Sequence, residues 1–281
     1  MTRSGSTDPV GDRHGLTVSV LIVSYDTSDL LRRCLASLAD ADEIVVVDNG
    51  SSDGSVEMAR HEFPDVVLVA SGVNRGFGAG VNEAARHATS DCFLLLNPDA
   101  QIGPGSLPQM VELLAQRPGA GAIGFRQVDA AGVFQLSFGP APSLLLEFVR
   151  MVVQRRLDRG DVRLARFIDH CFSRPCRVPW VTGSSLLLRR EAFEAVGGFD
   201  EGYFLYFEDA DVCQRLSSRV GPIWYDPTVT VVHHRGASAV GRRREVMRHY
   251  RASQRRYWQQ HGGRISAWLV DRYLGRRRCR R

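Results

Sequence analysis

Two acidic side chains stand where apolar runs of this sequence stop. Asp48 ends the run "EIVVVD", and Asp99 follows "FLLL" after Asn97 and Pro98. A turn alone could account for both, because Asn, Pro and Asp each favour turns. Alternatively, a carboxylate at the end of a buried strand can accept hydrogen bonds from a ribose hydroxyl or a base N–H. At Asp99 it would also suit one contact to a hard cation, whose other ligands would be diphosphate oxygens and water.

A second group of acids lies in "YFEDADVCQR", which supplies Glu208, Asp209 and Asp211. Acids in the first turn of a helix complement the helix dipole for only ~0.3 to 1 kcal/mol each. Three acids exceed that need, so we expect one of them to deprotonate a hydroxyl as a general base. His233 and His234 end a later strand-like run. Paired histidines there are usually structural, but a cation nearby would make His233 a candidate ligand.

The segment "NRGFGAGVNEA" carries three glycines, Gly76, Gly78 and Gly80, that resemble a loose dinucleotide fingerprint. That fingerprint belongs to the first strand–helix unit of its fold, whereas these glycines follow the third apolar run. A nicotinamide-dependent oxidoreductase is therefore the disfavoured rival. Glycines at a helix start would still let backbone amides approach a diphosphate, with Asn74 and Asn82 as neutral donors.

The elements that must position these residues alternate along the chain. Four apolar runs are each followed by a helical pattern, which predicts a parallel sheet covered on both faces. Ligands of such sheets bind beyond the carboxyl ends of the strands. After about residue 120 the alternation fades into a predicted antiparallel hairpin turning near residues 130–132, a helical stretch over 143–170, and further strands and helices. The apolar face of that helical stretch is expected to pack against its own domain rather than a membrane.

Composition narrows the function classes. The chain has 281 residues, a net charge of +5 and 36 basic residues apart from histidine, all of them arginine. Acids interspersed with the arginines make nucleic-acid binding an unfavoured prediction. Six cysteines without a C-x-x-C pair, and no apparent secretory signal, predict reduced thiols in a cytoplasmic protein. No apolar stretch approaches the ~20 residues needed to span a bilayer, so any membrane contact should be peripheral.

From Val18 to Ser238 the sequence resembles inverting glycosyltransferase family 2, which has the GT-A fold, and within it the rhamnosyltransferase-like branch. The resemblance depends on the order and spacing of several motifs together. These are "SYDTSDLLRRCLASL", "VVVDNGSSDGS", "NRGFGAGVN", "LLLNPDA", "VTGSSLLLRREAFEAVGGFDEGYFLYFEDADVCQRL" and "HHRGAS".

The resemblance implies a role for each matching position. Asp209 would be the base, with Glu208 as the second choice, and Asp99 would bind the metal with His233. Asn97 stands where the family's D-x-D motif has its first acid, which is usual in this branch. Nucleotide-sugar contacts are implied for Ser24, Tyr25, Asp48, Asn49, Asn74, Gly76, Asn82 and Asn97. Acceptor contacts are implied for Thr182, Gly183, Ser184 and Asp211.

The same resemblance implies an α/β GT-A fold: a Rossmann-like, mostly parallel central sheet flanked by helices, with a small antiparallel element and a C-terminal helical tail. Its predicted divisions are a disordered tail over 1–16, a transferase domain over 17–240 that splits at residue 120 into nucleotide-sugar and acceptor halves, and an arginine-rich helical tail over 241–281. The tail would either contact an anionic membrane on the inner face of the cell membrane or form a solvated helix followed by disorder.

The implied reaction is the transfer of a sugar to a glycan or polyprenyl-diphosphate-linked acceptor in cell-wall or surface polysaccharide synthesis. The implied donor is dTDP-L-rhamnose, and a UDP-hexose or UDP-galactofuranose is the alternative. A divalent cation, Mg²⁺ or Mn²⁺, is the implied cofactor. A non-catalytic binding module of the same fold is disfavoured because Asp48, Asp99 and Asp209 are all present.

Overall fold

The computed structural model of the protein describes residues 15–140, 143–234 and 243–278. The strands in these ranges are β1 Val18–Ser24, β2 Glu43–Asp48, β3 Val67–Ala70, β4 Cys92–Leu96, β5 Ala100–Ile102, β6 Ala122–Val128, β7 Phe134–Gln135, β8 Phe138–Gly139, β9 Cys176–Arg177, β10 Trp180–Val181, β11 Ser185–Arg189 and β12 Ile223–His233. The helices are α1 Ser28–Ala36, α2 Ser55–Glu62, α3 Phe77–His87, α4 Ser106–Ala115, α5 Leu144–Leu157, α6 Val162–Cys171, α7 Arg190–Ala195, α8 Glu208–Arg219, α9 Arg243–His261 and α10 Gly263–Arg278.

The main sheet has the strand order β3-β2-β1-β4-β11-β6-β12-β5, with β7 paired to β6 and β9 to β12. Strands β1 to β4 are parallel, as the alternating pattern predicts, and the register pairs Ser24 with Asp48. Antiparallel pairings enter through β5, β7, β9 and β11, and β8 pairs with β10 in a separate two-stranded sheet. The predicted α/β class, a large sheet flanked by helices with a small antiparallel element, is confirmed.

The first four strands read as continuous apolar runs because both faces of the sheet are covered. Along β1, Val20 and Ile22 join one buried cluster while Leu21 and Val23 join the other, as expected when successive side chains point to opposite faces. This rigid layer holds the carboxyl ends of β1, β2 and β4 side by side.

A strand that the sequence pattern did not predict begins directly after Asp99. Strand β5 has three residues and pairs antiparallel with the end of β12, so that Ala100 faces His233. The backbone N–H of His234 also donates to the carbonyl of Asp99, at 2.8 Å. This pairing brings Asp99 and His233 together from distant parts of the chain.

The helical stretch predicted over 143–170 forms two helices, α5 and α6. Helix α5 contains no buried residue, and Leu145 and Phe148 on it are exposed. For α5 the expectation that the apolar face packs against the domain is therefore wrong, whereas on α6 Ala165 is buried in a core cluster. Leu144 and Leu157 pack against core clusters only as partly buried residues.

The C-terminal helices belong to the packed body of the protein. On α9, Tyr257 and Trp258 are buried, and Arg256 forms an ion pair with Asp200 at 2.8 Å. Helix α9 is therefore packed against the protein and is not the solvated helix that was one of the two alternatives for the tail. Residues 1–14 and 279–281, for which disorder was predicted, lie outside the described residues, as does Cys279; the other five cysteines are free thiols. Among the described helices, none has the length and apolar character needed to cross a membrane.

Candidate active site

A cavity of about 610 Å³ opens beyond the carboxyl ends of β1, β2 and β4, a volume typical of small-molecule sites. Residues of the loops before β11 and α8, and residues of α5 and α9, also line it. Most residues that the sequence singled out line this one cavity. They are Tyr25, Asn49, Asn74, Gly76, Asn97, Asp99, Thr182, Gly183, Ser184, Glu208, Asp209 and His233.

Asp48 lies buried beside the cavity, next to Asn49. Its Oδ1 accepts hydrogen bonds from the backbone N–H groups of Gly50 and Ser51, at 3.0 and 2.8 Å, which fixes the turn after β2. Its buried Oδ2 has no hydrogen-bond partner among the described residues. Oδ1 therefore stabilises the turn, and Oδ2 is an unsatisfied hydrogen-bond acceptor. The turn interpretation applies to the first oxygen and the ligand interpretation to the second.

The neighbouring loop residues are held in place by each other. The hydroxyls of Ser24 and Thr27 lie 2.9 Å apart, and Ser24 is buried under the cavity floor rather than lining it. The Asn49 side chain donates to the carbonyl of Gly76 at 3.1 Å, and Asn74 Oδ1 accepts from the N–H of Gly76 at 2.9 Å. These bonds join the ends of β2 and β3 to the start of α3.

The glycines before and in α3 serve close packing instead of forming an open phosphate cradle. Gly76 has φ +90°, and a Cβ there would lie 2.4 Å from the carbonyl oxygen of Phe204. The first helical N–H, that of Phe77, donates to the same carbonyl at 3.0 Å. A Cβ at Gly80 would overlap the side chain of Val23. The N–H of Phe77 is thus already bonded within the protein, and the resemblance to a dinucleotide fingerprint has a packing explanation.

Asp99 and His233 form a buried pair, with Oδ1 and Nε2 3.1 Å apart. The amide nitrogen of Gln127 donates to Ser184 Oγ at 2.7 Å, so its oxygen is the atom that faces His233 Nδ1 at 3.0 Å. Nδ1 then carries a proton, and Nε2 is the ring nitrogen that faces the Asp99 carboxylate. The Asn97 amide nitrogen is 3.5 Å from Nε2.

This arrangement fits one side of a divalent cation site. A carboxylate oxygen and an imidazole nitrogen at such a distance can bind the same cation, and a histidine ligand normally donates its other N–H to an oxygen, as His233 does to Gln127. Within the described residues, no cluster of three or more His, Cys, Asp or Glu side chains could hold a metal ion. A cation bound by Asp99 and His233 would thus need further ligands from outside the protein.

Glu208 and Asp209 open helix α8 at the cavity wall. Burial raises the pKa of Asp209, and backbone N–H groups of Ala210 and Gly183 donate to its carboxylate and oppose that rise. Burial, followed by the negative charge of Asp209, raises the pKa of Glu208 well above its usual range. Glu208 Oε2 has no hydrogen-bond partner in the described structure. Burial therefore raises the pKa values of both carboxyl groups, and both residues line the cavity.

The loop that leads into α8 is strained. Tyr206 and Phe207 have φ of 69° and 67°, in the left-handed region that aromatic residues rarely adopt. Strain of this kind persists only where the surroundings enforce it. Here Ser253 of α9 donates to the carbonyl of Leu205 at 2.9 Å, and the ring of Tyr257 lies 5.4 Å from that of Phe207.

Helices α5 and α9 supply cavity residues that the sequence reasoning missed. Arg150 is bound by Glu147, with Nε and Nη2 at 3.0 and 2.9 Å from its carboxylate oxygens, and lies over the ring of Trp180 at 5.4 Å. Tyr250 of α9 donates to Glu147 at 3.2 Å. The Arg150 charge also opposes the rise in the pKa of Asp209. The i, i+3 spacing of an acid and an arginine in α5 was the available signal.

Besides Ser24 and Asp48, two more predicted site residues do not line the cavity. Asn82 donates to the carbonyl of Phe199 at 2.9 Å and so fastens α3 to the segment after α7. Asp211 is buried between Arg215 and His261, at 2.6 and 2.7 Å. Neither position supports the assigned contact with nucleotide sugar or acceptor, because both side chains are engaged in holding helices together.

Comparisons with known proteins agree with this geometry. The profile of glycosyl transferase family 2 matches residues 19–197. Over 234 residues the chain is 35% identical to N-acetylglucosaminyl-diphospho-decaprenol L-rhamnosyltransferase of Mycobacterium tuberculosis, which covers 78% of this chain and 76% of the relative. Rhamnosyltransferase WbbL of Escherichia coli K12 is 27% identical over 231 residues, covering 77% of this chain and 83% of the relative.

The fold has counterparts among solved structures. GalNAc-T7 with UDP, GalNAc and Mn²⁺ superposes with a TM-score of 0.59 at 16% identity, covering 86% of this chain and 48% of that one. The present chain thus spans about half the length of the solved protein, and at this identity the likeness shows the shared fold.

Proposed function

The chain belongs to glycosyl transferase family 2 and is a glycosyltransferase, and from that premise we propose that it transfers L-rhamnose from dTDP-L-rhamnose to a polyprenyl-diphosphate-linked sugar. The rhamnosyltransferases that it resembles support this donor and acceptor. The observation that carries the proposal is that the Asp99–His233 pair and the Glu208–Asp209 pair line the same cavity. One pair suits the diphosphate of a donor and the other suits the hydroxyl of an acceptor.

The donor nucleotide would bind at the carboxyl ends of β1 and β2. The unsatisfied Oδ2 of Asp48 supports a hydrogen bond from a ribose hydroxyl or a base N–H. Tyr25, Asn49 and Asn74 line the adjoining part of the cavity and would contact the nucleotide. Ser24 would act only indirectly, by fixing the loop that carries Tyr25.

A divalent cation, Mg²⁺ or Mn²⁺, would be held by Asp99 and His233, with Gln127 orienting the imidazole. When bound, it would neutralise charge that develops on the departing diphosphate. The Mn²⁺ in the structurally similar GalNAc-T7 supports this cofactor. Asn97 lies beside His233 at the position of the first acid of the D-x-D motif. Its neutral amide would donate a hydrogen bond to the same diphosphate.

The reaction would be a single displacement. Asp209 accepts the proton of an acceptor hydroxyl, the hydroxyl oxygen bonds to the anomeric carbon, and the bond from that carbon to the diphosphate breaks on the opposite face. The configuration at the anomeric carbon inverts. Thr182, Gly183 and Ser184 would position the acceptor, and Gly183 also donates its N–H to Asp209. Glu208, protonated by burial, would support the loop beside the base.

The test offers purified protein dTDP-rhamnose, UDP-hexoses and UDP-galactofuranose with a short-chain, water-soluble GlcNAc-diphospho-lipid, in the presence of Mg²⁺, Mn²⁺ or EDTA. Transfer from dTDP-rhamnose that EDTA abolishes is the expected result. Transfer from a UDP-sugar but not from dTDP-rhamnose would show that the proposed donor is wrong and leave the proposed active site standing. Absence of turnover and of nucleotide binding with every donor would overturn the proposal.

A polyprenyl-linked acceptor would be presented at a bilayer. We therefore propose that the protein makes peripheral contact with an anionic membrane, as its arginine-rich C-terminal segment also favours.

A further inference from the structure

Helix α5 exposes a stripe of apolar side chains. Leu145 and Phe148 are 72% and 57% exposed, and Val149 and Val152 are exposed as well. These positions follow the i, i+3, i+4, i+7 spacing of one helix face. In a helix packed inside a domain that face would be buried, so its exposure along four positions indicates an interaction surface.

Helix α10 repeats the arrangement. Ile265 and Trp268 are 77% and 58% exposed, and Leu269 is also exposed. The same face continues to Arg272, whose guanidinium lies 5.5 Å from the Trp268 ring centre. The stripe of α5 likewise continues to exposed arginines, Arg155 and Arg156. On both helices an apolar stripe therefore ends in arginine on its last described turn.

The two helices are neighbours. Leu144, the first residue of α5, packs against Trp258 of α9 and Val270 of α10. Tyr250 of α9 donates to Glu147 of α5 at 3.2 Å. Helix α10 buries Val270 against α9, and α5 contacts α9 through the partly buried Leu144 and through Glu147, while the stripes of both helices stay exposed.

We propose that a docking surface formed by Leu145, Phe148, Val149, Val152, Ile265, Trp268 and Leu269 inserts into the headgroup region of an anionic bilayer. Aliphatic and aromatic side chains beside arginines are the composition that lets a helix lie in a membrane interface. A second copy of the chain is a poorer occupant, because pairing these surfaces would bring the flanking arginines of two copies together. Anionic headgroups complement those arginines instead.

Helix α5 lies between the docking surface and the cavity. The face of α5 opposite the stripe carries Glu147 and Arg150, which line the cavity wall. A lipid-linked acceptor could therefore leave its polyprenyl chain in the bilayer while its sugar reaches Asp209. This inference deepens the proposed function and rests on it, since only a lipid-linked acceptor would need the bilayer.

Co-sedimentation with vesicles tests the surface. The full chain is mixed with phosphatidylcholine vesicles, with or without phosphatidylglycerol, at low and high salt. We expect binding that requires phosphatidylglycerol and weakens with salt. The double variant Phe148→Ser/Trp268→Ser should bind at least about tenfold more weakly. The matched control Val67→Ser/Val220→Ser exchanges two exposed apolar side chains outside the docking surface and should bind like the unmodified chain.

Turnover of the short-chain, water-soluble acceptor separates this inference from the proposed function. Both double variants should keep that turnover, because neither changes a cavity residue. Turnover without vesicle binding, or equal binding by Phe148→Ser/Trp268→Ser and the unmodified chain, would overturn the docking surface and leave the function standing. Sedimentation as a dimer that this variant dissociates, without vesicle binding, would assign the surface to self-association and also overturn the inference. Vesicle binding without transfer from any donor would instead refute the proposed function.

Discussion

Replacing each carboxylate of the Glu208–Asp209 pair by its amide would identify the base. Asp209→Asn keeps the size of the side chain and an oxygen that can accept from the Ala210 N–H, but it cannot accept the proton of a hydroxyl. General-base catalysis contributes roughly 10²- to 10⁴-fold. We therefore expect kcat/KM to fall by that factor, which at 1.36 kcal/mol per tenfold corresponds to about 2.7 to 5.4 kcal/mol of transition-state stabilisation.

Glu208→Gln should have a much smaller effect. Burial and the neighbouring Asp209 raise the pKa of Glu208 well above its usual range, so its carboxyl holds its proton when Asp209 is ionised. Glutamine reproduces a neutral, protonated glutamate in size and charge. We expect kcat/KM to stay within about tenfold of the unmodified enzyme, well short of the loss from removing a base.

The pH profile adds an independent readout. Because the pKa of Asp209 is raised by burial, the ionised base is lost as pH falls through that raised value. The acid limb of kcat/KM should therefore lie at higher pH than for an ordinary carboxylate, and Asp209→Asn should abolish it. Initial rates with dTDP-rhamnose and the soluble acceptor measure both effects, with circular dichroism to verify folding. If Glu208→Gln removed activity and the acid limb while Asp209→Asn kept them, Glu208 would be the base and our assignment would be wrong.

Three further predictions concern stability and binding. Glu208→Gln should raise the denaturation midpoint of the protein at alkaline pH. Folding raises the pKa of this carboxyl, so the folded protein loses stability as pH rises from the unfolded pKa of Glu208 toward its folded pKa. If the midpoints of the variant and the unmodified protein differed equally at acid and alkaline pH, this prediction would be contradicted. Gln127→Leu should weaken calorimetric binding of Mn²⁺ with dTDP by about 10- to 100-fold, as loss of a partner that orients a ligand does; unchanged affinity would remove Gln127 from the site. Gly76→Ala should lower the free energy of unfolding in urea by about 3 kcal/mol or more, since strain and a backbone clash coincide there. Gly54→Ala, at φ +81° in open space, is its control and should cost only about 1 kcal/mol; equal losses would refute the clash.

The parts of the site that the sequence could predict are those carried by long patterns. Four apolar runs predicted β1 to β4, and the position of Asp48 and Asp99 at the ends of two of them predicted that both would lie at one edge of the sheet. Asp209 and His233 were found from residue type and position. In each case the informative signal was a polar residue at a place where a strand ends or a helix begins.

The parts that it could not predict depend on contacts between distant segments. Strand β5 is three residues long, too short for a period to be recognised, yet its register with β12 pairs Ala100 with His233 and so places Asp99 beside the imidazole. Gln127 looks like an ordinary polar residue of β6 until His233 and Ser184 are placed on either side of it. Arg150 gains its role only when α5 lies across the cavity.

The position of Asp209 at the start of α8 sets two physical effects against each other. A helix N-terminus stabilises an anion by roughly 0.3 to 1 kcal/mol, which would lower the pKa of a carboxyl, whereas taking an ionised carboxylate out of water costs several kcal/mol and raises it. Burial is the stronger effect here, and the pKa of Asp209 is raised. The strained loop of Tyr206 and Phe207 leads directly to Asp209, and Ser253 and Tyr257 of α9 contact it. We therefore expect the pKa of the proposed base to depend partly on a C-terminal helix that lies outside the part of the chain matched by the family profile.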